Sequence, residues 1–373
     1  MMDELLALFP ILFIVYLFQC VVVSPPHACI FLVGTPFRGR LLHGFCSVGA
    51  NERKIFLLNP FFCFRQAMFV AGFPFCFIVD SKGDITGMSH FKFKANELGS
   101  NDVVVDFASS NRFESRMKKL VSDGVPIAEL ASEVTARHLA DFLQKLRLAT
   151  PQQRKSAVDR EMSRIFSTAA VKGRLEFFAQ QTSWLASLCF FLFLYVFLLA
   201  PVLIYRTRLH QAWPILLSTL LITGLGIAWA FRGAHRALFP DRNEGVMQNL
   251  IAVSLSPLAA IRALDPLAAS LLEEFHPLAV ASVVLPKHDF LKLAELELRK
   301  LKFVRRDTIL ERHLTVFLAK QSVDPSSLLA PPHPDSAQSR SFCPACLTQF
   351  VFDEGLCREC GDVPLQQFAQ GER

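Results

Sequence analysis

The chain has 373 residues, of which 52% are hydrophobic and 19% charged, against about 25% charged residues in an ordinary soluble domain. That balance excludes a disordered, collagen-like or small disulfide-stapled protein and leaves length for about two to three domains. The formal net charge of +6 is gathered in the first half, because 24–183 holds 21 Lys and Arg against 14 Asp and Glu while 232–373 holds 16 against 17. A basic excess beside apolar stretches suits anionic lipid headgroups, and no nucleic-acid partner is expected.

Residues 5–23, 184–205 and 213–231 run for 19, 22 and 19 residues without a charge. As helices they reach roughly 28, 33 and 28 Å, against a bilayer hydrocarbon core of about 30 Å. Trp184, Tyr205 and Trp213 stand at span ends, where amphipathic rings favour the interface. The first span follows Met1-Met2-Asp3-Glu4, acidic where a cleaved export signal is basic, so it reads as a retained anchor. Only 206–212 separates the other two, which predicts an antiparallel helical hairpin. Pro201, Pro214, Gly224 and Gly226 would permit kinks and close helix contact within it. On one side of the spans lie Arg38, Arg40, Arg164, Lys172, Arg174, Arg232, Arg236 and Arg242; on the other, Arg206 and Arg208. The basic side is expected to be cytoplasmic. The expectation is an integral protein of a bacterial inner membrane with both large soluble regions inside.

Between the first two spans, 24–183 reads as an α+β domain. Apolar runs at 29–33, 54–58 and 75–79 and the period-two run 91–94 predict strands, and Asp80-Ser81-Lys82-Gly83-Asp84 predicts a hairpin between the last two. The apolar dozen 68–79, broken by Gly72 and Pro74, reads as a buried strand pair, with a segment touching lipid as the alternative. Ser110 and Asn111 would cap a helix through Lys119, ended by Asp123-Gly124, and Pro126 would open the next. Ile127, Leu130, Val134, Leu139, Phe142 and Leu146 would form that helix's core stripe. A basic amphipathic stretch, 152–181, continues into the second span.

Beyond the spans, 231–242 reads as an Arg-rich turn at headgroup level, opening a mainly helical membrane-proximal region, 232–321. Within it 247–285, broken by Pro257, Pro266 and Pro277, predicts short helices. The stretch 289–303 predicts a longer one with Leu291, Ala294, Leu298 and Leu301 on one face. Its basic end, Arg299, Lys300, Lys302, Arg305 and Arg306, reads as a solvated terminus suited to the helix dipole, or as a contact for anionic lipid. Residues 322–341, with Pro325, Pro331, Pro332 and Pro334, read as a semi-extended linker.

The strongest chemical motif follows, at 342–364. Cys343-Pro344-Ala345-Cys346 and Cys357-Arg358-Glu359-Cys360 are two CxxC pairs separated by ten residues. This spacing resembles a zinc ribbon, which implies one structural Zn²⁺ per chain held by Cys343, Cys346, Cys357 and Cys360. Gly361 matches the glycine after a ribbon's second knuckle, and Leu347 stands where the first knuckle often has one. Rubredoxin-type iron sites resemble the knuckles but have a longer insert. Four thiolates close the coordination sphere, so the metal is structural rather than a Lewis acid. Cys20, Cys29, Cys46, Cys63, Cys76 and Cys189 sit in apolar surroundings and are expected as buried thiols.

The fold class expected is thus an α-helical membrane protein of three spans, with an α+β soluble domain and a small C-terminal zinc ribbon. No phosphate loop, nucleophile motif or charged residue within a span points to an enzyme or a self-contained transporter. The leading expectation is a non-enzymatic scaffold that recruits protein partners or joins a larger membrane complex. The alternative is an enzyme or enzyme subunit on a lipid or membrane-bound substrate, for which His43, His90, Asp80 and Asp84 would have to converge.

Overall fold

A computed structural model describes residues 2–23, 29–34, 42–48, 55–57, 67–70, 75–80, 84–90, 103–107, 112–116, 119–129, 133–207, 209–240, 246–269, 271–272 and 274–368. The protein is mostly helical with small sheets and divides into two units. One comprises Met1–Ala71 and Thr168–Glu274, the other Gly72–Ser167 and Phe275–Arg373.

In the first unit the helix Met2–Gln19 closes its last turn on Cys20, and Val21–Val23 leaves as a strand paired antiparallel with Ile55–Leu57. Three consecutive β-branched residues favour that extended exit. The first expected span is therefore helical only to Gln19. Cys29–Gly34 is the middle strand of an antiparallel sheet between Leu42–Val48 and Ala67–Val70.

Among the described residues, two helical segments are long and apolar enough to cross a membrane. The first is continuous from Thr168 to Arg206, with an α-helix to Leu194, a π turn over Tyr195–Leu199, and α-helix again over Ala200–Arg206. Pro201 has no N–H to donate and would crowd the carbonyl four residues back, and the wider turn just before it relieves both. The second, Leu209–Leu238, carries Pro214 near its start. Three contacts fix the pair as antiparallel. Arg174 Nη2 donates to Leu238 O at 2.8 Å, a Cβ on Gly226 would stand 3.7 Å from Leu188 Cδ1, and Tyr195 Oη donates to Leu216 O at 3.2 Å. Lys172, Arg174, Arg232 and Arg236 thereby gather at one end and Arg206 at the other. Gly224 meets nothing within 4 Å, so of the two glycines Gly226 alone makes the close approach. The Arg-rich turn expected at 231–242 is helical to Leu238, because Phe231, Ala234 and Leu238 extend the buried stripe of Leu216, Thr223 and Ile227.

The outer face of the same helix is also apolar, and it is bare: Ile222 is 69% and Trp229 75% exposed. Phe13 of the first helix meets Phe197 edge to face and Tyr16 meets it at a tilt, with ring centroids 5.3 Å apart in each case. Short helices follow at Val246–Leu255, Pro257–Ile261 and Leu264–Ala269, as expected. Ser256 Oγ accepts from Ala259 N to cap the second of them.

In the second unit Phe75–Val79 pairs antiparallel with Ile85–His90, which pairs in turn with Val103–Asp106. Asp84 N–H donates to Asp80 Oδ1 and Asp80 N–H to Asp84 O, both at 2.9 Å, closing the expected turn. The partner strand is 85–90, and 91–94 lies outside the described residues. The apolar dozen 68–79 is not a strand pair, since Ala67–Val70 bonds to Cys29–Gly34 and Phe75–Val79 to Ile85–His90. The helix expected at 110–119 is likewise absent. Phe113–Arg116, Lys119–Ser122 and Val125–Glu129 instead form a three-stranded antiparallel sheet. Asp123 and Gly124, at φ +50° and +82°, make the two-residue turn whose twist matches paired strands. Pro126 sits on the edge strand beside a register shift, where a missing N–H is tolerated.

Helix then begins at Glu133, and Glu133–Leu148 buries Ala136, Leu139, Ala140, Leu143 and Leu146. Pro151–Ile165 follows, with Gln153 Oε1 accepting from Thr150 N–H at 3.0 Å. The basic amphipathic stretch 152–181 is helical to Ile165 and again from Thr168, where it continues into the long apolar helix. After Pro277–Val284, the helix Lys287–Arg299 continues into a π turn, Lys300–Arg305, and Thr308–Lys320 is capped by Asp307.

Candidate metal centre

The last strands carry the cysteines to one point. Ser341–Phe342 pairs antiparallel with both Gln349–Phe350 and Gln366–Gln367, and Leu356–Cys357 pairs with Val363–Pro364. At the first knuckle Cys343 N–H donates to Thr348 O at 2.9 Å and Leu347 N–H to Cys343 O at 2.8 Å. At the second, Gly361 N–H donates to Arg358 O at 3.2 Å and Asp362 N–H to Cys357 O at 3.0 Å. Both knuckles close through left-handed backbone, at Leu347 (φ +64°) and at Gly361 (φ +75°). Gly361 adopts it freely, whereas a Cβ there costs Leu347 about 1–2 kcal/mol.

The Sγ atoms of Cys343, Cys346, Cys357 and Cys360 all lie within 4.8 Å of one another, with Cys346 and Cys357 3.7 Å apart. Four sulfurs at about 2.3 Å from a tetrahedral ion stand roughly 3.8 Å from each other, so the cluster has the size and donor set of a metal site. Among the described residues it is the group of His, Cys, Asp and Glu side chains placed to hold one. Cys343 and Cys357 are buried beside Ala345 and Val363, with Phe303, Val304, Phe350 and Leu365 packed around them. Crowding divides the four thiols. Hydrogen bonds from Cys343 and Cys360 hold Cys346 far below the ordinary thiol range. Burial pushes Cys357 up to about 12, and hydrogen bonding to Cys343 and Cys346 raises Cys360. Cys346 is favoured as a thiolate while Cys357 and Cys360 resist ionising, a conflict that a divalent cation at the centre would resolve by attracting the sulfurs together.

The module is anchored to the helix before it. Arg299, 2% exposed, donates from Nε to Glu295 at 3.0 Å, from Nη1 to Pro344 O at 3.2 Å and from Nη2 to Ala330 O at 2.6 Å. Pro344 lies inside the first knuckle, and Ala330 lies in the stretch expected as a linker. That stretch also forms a helical turn, Pro325–Leu328, capped by Asp324. Of the basic run, Arg299 is therefore interior. Lys302 and Arg306 are exposed, with Lys302 Nζ 5.7 Å over the Phe303 ring. Glu295, four residues before Arg299, was the sequence signal for this clamp.

The residues considered for acid–base work fall in separate elements. Asp80 and Asp84 close their own turn. His90 lies in the strand Ile85–His90 and His43 in Leu42–Val48, in different units, and their side chains fall outside the described ones. Cys20 and Cys189 are buried as free thiols, as expected. No family profile matches the chain, and neither a curated protein nor a solved structure does.

Proposed function

We propose that the chain is a membrane-anchored, non-enzymatic assembly or recruitment protein with a structural zinc ribbon. The observation that carries this reading is the bare apolar face of the first unit. A helix in the core of a soluble protein is covered by its neighbours, yet Leu221, Ile222, Leu225 and Trp229 of Leu209–Leu238 are each at least 60% exposed. Leu198 and Val202 of the long helix and Ile11 and Phe18 of the first are exposed too. Surface of this kind belongs in lipid or under a partner. The first helix, antiparallel to the long one through its Phe13 and Tyr16 contacts, is the third span.

The end bearing Lys172, Arg174, Arg232 and Arg236 faces the cytoplasm. Zinc is the ion, because reducing cytoplasm preserves thiols and four sulfurs suit its tetrahedral preference. A closed site of that kind holds a shape for partners rather than activating water. The test begins with topology and metal content. Reporters fused after Arg373 and inserted near Gly99 should both be cytoplasmic, and elemental analysis of protein purified without chelator should give one zinc per chain. A reporter on the far side, or iron in place of zinc, would overturn the corresponding half. Affinity isolation in mild detergent should recover protein partners; a chain that always purifies alone would remove the recruitment role.

A further inference from the structure

The first unit contains a groove of about 380 Å³ where the end of the first helix meets the short helices that follow Leu209–Leu238. Its walls are mostly apolar and include Phe18, Val21, Ala252 and Ala259, but Arg262 and Asp265 also line it. An arginine side chain nine-tenths buried in such a place calls for explanation. Arg262 Nε donates to Asp265 Oδ2 at 2.9 Å and Nη1 to Cys20 Sγ at 3.2 Å, and its guanidinium lies 5.5 Å over the Tyr16 ring. Nη2 has no hydrogen-bond partner among the described residues. The guanidinium is thus held rigidly from three sides with one donor nitrogen left over.

Register gives the groove its depth. Cys189 Sγ donates to Ala260 O at 3.3 Å, and Tyr16 meets Phe193 and Phe197 at a tilt. Cys20, one turn beyond Tyr16, and Arg262 therefore lie level with Cys189. Counted from Trp184, where the apolar part of the long helix begins, that level is about 7 Å inside the span. This is the boundary between headgroups and acyl chains, on the side that carries Lys172 and Arg174.

We propose that this groove holds one phospholipid with a zwitterionic head, its phosphodiester on Arg262, its ammonium toward Asp265 and an acyl chain along Phe18, Val21 and Ala252. The chemistry is complementary at each part. A guanidinium and a carboxylate side by side match a phosphate and an amine, a neutral pair meeting a neutral headgroup, while the walls match a hydrocarbon chain. A free anion would use the guanidinium and leave the apolar wall wet. The assignment rests on the membrane reading above, and the experiment separates the two.

Full-length protein is purified in mild detergent, and the lipid it retains is identified and counted by mass spectrometry. Dihexanoyl phosphatidylethanolamine and inorganic phosphate are then titrated in parallel. Ala252→Trp fills the groove from an exposed wall position, and Arg262→Gln removes the phosphate contact; zinc content and the thermal transition report whether each variant folds. The expected result is one phospholipid per chain in the wild type. Affinity for the short-chain lipid should fall about tenfold or more in Ala252→Trp, with membrane extraction unchanged. Equal lipid retention in wild type and Ala252→Trp would overturn the proposal, as would phosphate binding as well as the lipid does. No lipid in a wild type that still needs detergent would sink the groove and spare the spans. A chain soluble without detergent would sink the spans, and the short-chain titration would still decide the groove.

Discussion

Leu347 holds a left-handed backbone that its neighbour knuckle assigns to Gly361. Leu347→Gly should remove that strain and stabilise the metal-bound module by about 1 kcal/mol, less the added freedom of glycine in the unfolded chain. Slower metal loss to a competing chelator is the expected readout. His276 is the other residue with a consequence of its own. Its ring is buried against Phe166 at 4.4 Å, and Nδ1 accepts from Leu278 N–H at 3.2 Å to cap Pro277–Val284. Burial pushes its pKa down to about 4 from 6.5, against the pull of Glu297 and with the push of Arg305. The unfolded chain therefore takes up a proton below about pH 6.5 that the folded chain refuses until about pH 4. Stability should fall across that window by up to about 3 kcal/mol, with no further loss from this group below it. His276→Asn keeps a capping side chain and removes the titration. Its denaturation midpoint should vary less between pH 6.5 and 4, and an unchanged slope would show that other groups set it. Glu161, held down to about 2 by its bonds to His138 and Arg164 in spite of burial, adds its own loss at lower pH, between about 4.5 and 2.

At the scale of elements, the antiparallel helical pair separates two glycines two residues apart. A Cβ at 226 already reaches van der Waals contact with Leu188, so the rest of a leucine in Gly226→Leu crowds that side chain, whereas a Cβ at 224 meets nothing within 4 Å. The first should lower the thermal transition in detergent, by about 1–3 kcal/mol of overpacking, and the second should leave it within experimental scatter. Equal effects would place the contact elsewhere. The pair was legible in the sequence because length and apolarity are local properties. So was the cysteine cluster, whose ligands announce themselves by spacing. The sheet over 113–129 was misread for a physical reason: Asp-Gly ends a helix with one left-handed residue or turns a hairpin with two, and the dipeptide is the same in both. Strands four residues long, such as Phe113–Arg116 with its Glu114 and Arg116, offer too little alternation to decide. The Arg299 clamp was hidden differently. It ends on the carbonyls of Pro344 and Ala330, and every residue carries a carbonyl, so no side-chain identity marks the receiving end.

For the whole molecule, that clamp changes what metal removal should do. Chelation should unfold 341–364, whose small core is built around the ligands themselves, and should also loosen the π turn Lys300–Arg305 that continues Lys287–Arg299, where Phe303 and Val304 lose their cover. Hydrogen exchange ought to register both segments together, while the helical pair of the first unit stays protected; loosening of the ribbon alone would mean that the clamp is energetically idle. Arg299→Gln with metal present should expose the same helix end, at a cost of about 1–3 kcal/mol for carbonyls left without donors. There is a consequence in time as well. Arg299 is synthesised 45 residues ahead of Pro344, so each nascent chain carries a guanidinium paired with Glu295 but lacking its full set of carbonyl acceptors, and two bare apolar side chains, until the second knuckle emerges and takes its ion. Proteases and chaperones recognise such surfaces, and a metal-starved chain would keep presenting them. With the proposed zinc as that ion, abundance of the finished protein is expected to follow zinc supply with no dedicated sensor, and a pulse-chase under zinc limitation would read it as a shortened half-life that Leu347→Gly partly restores.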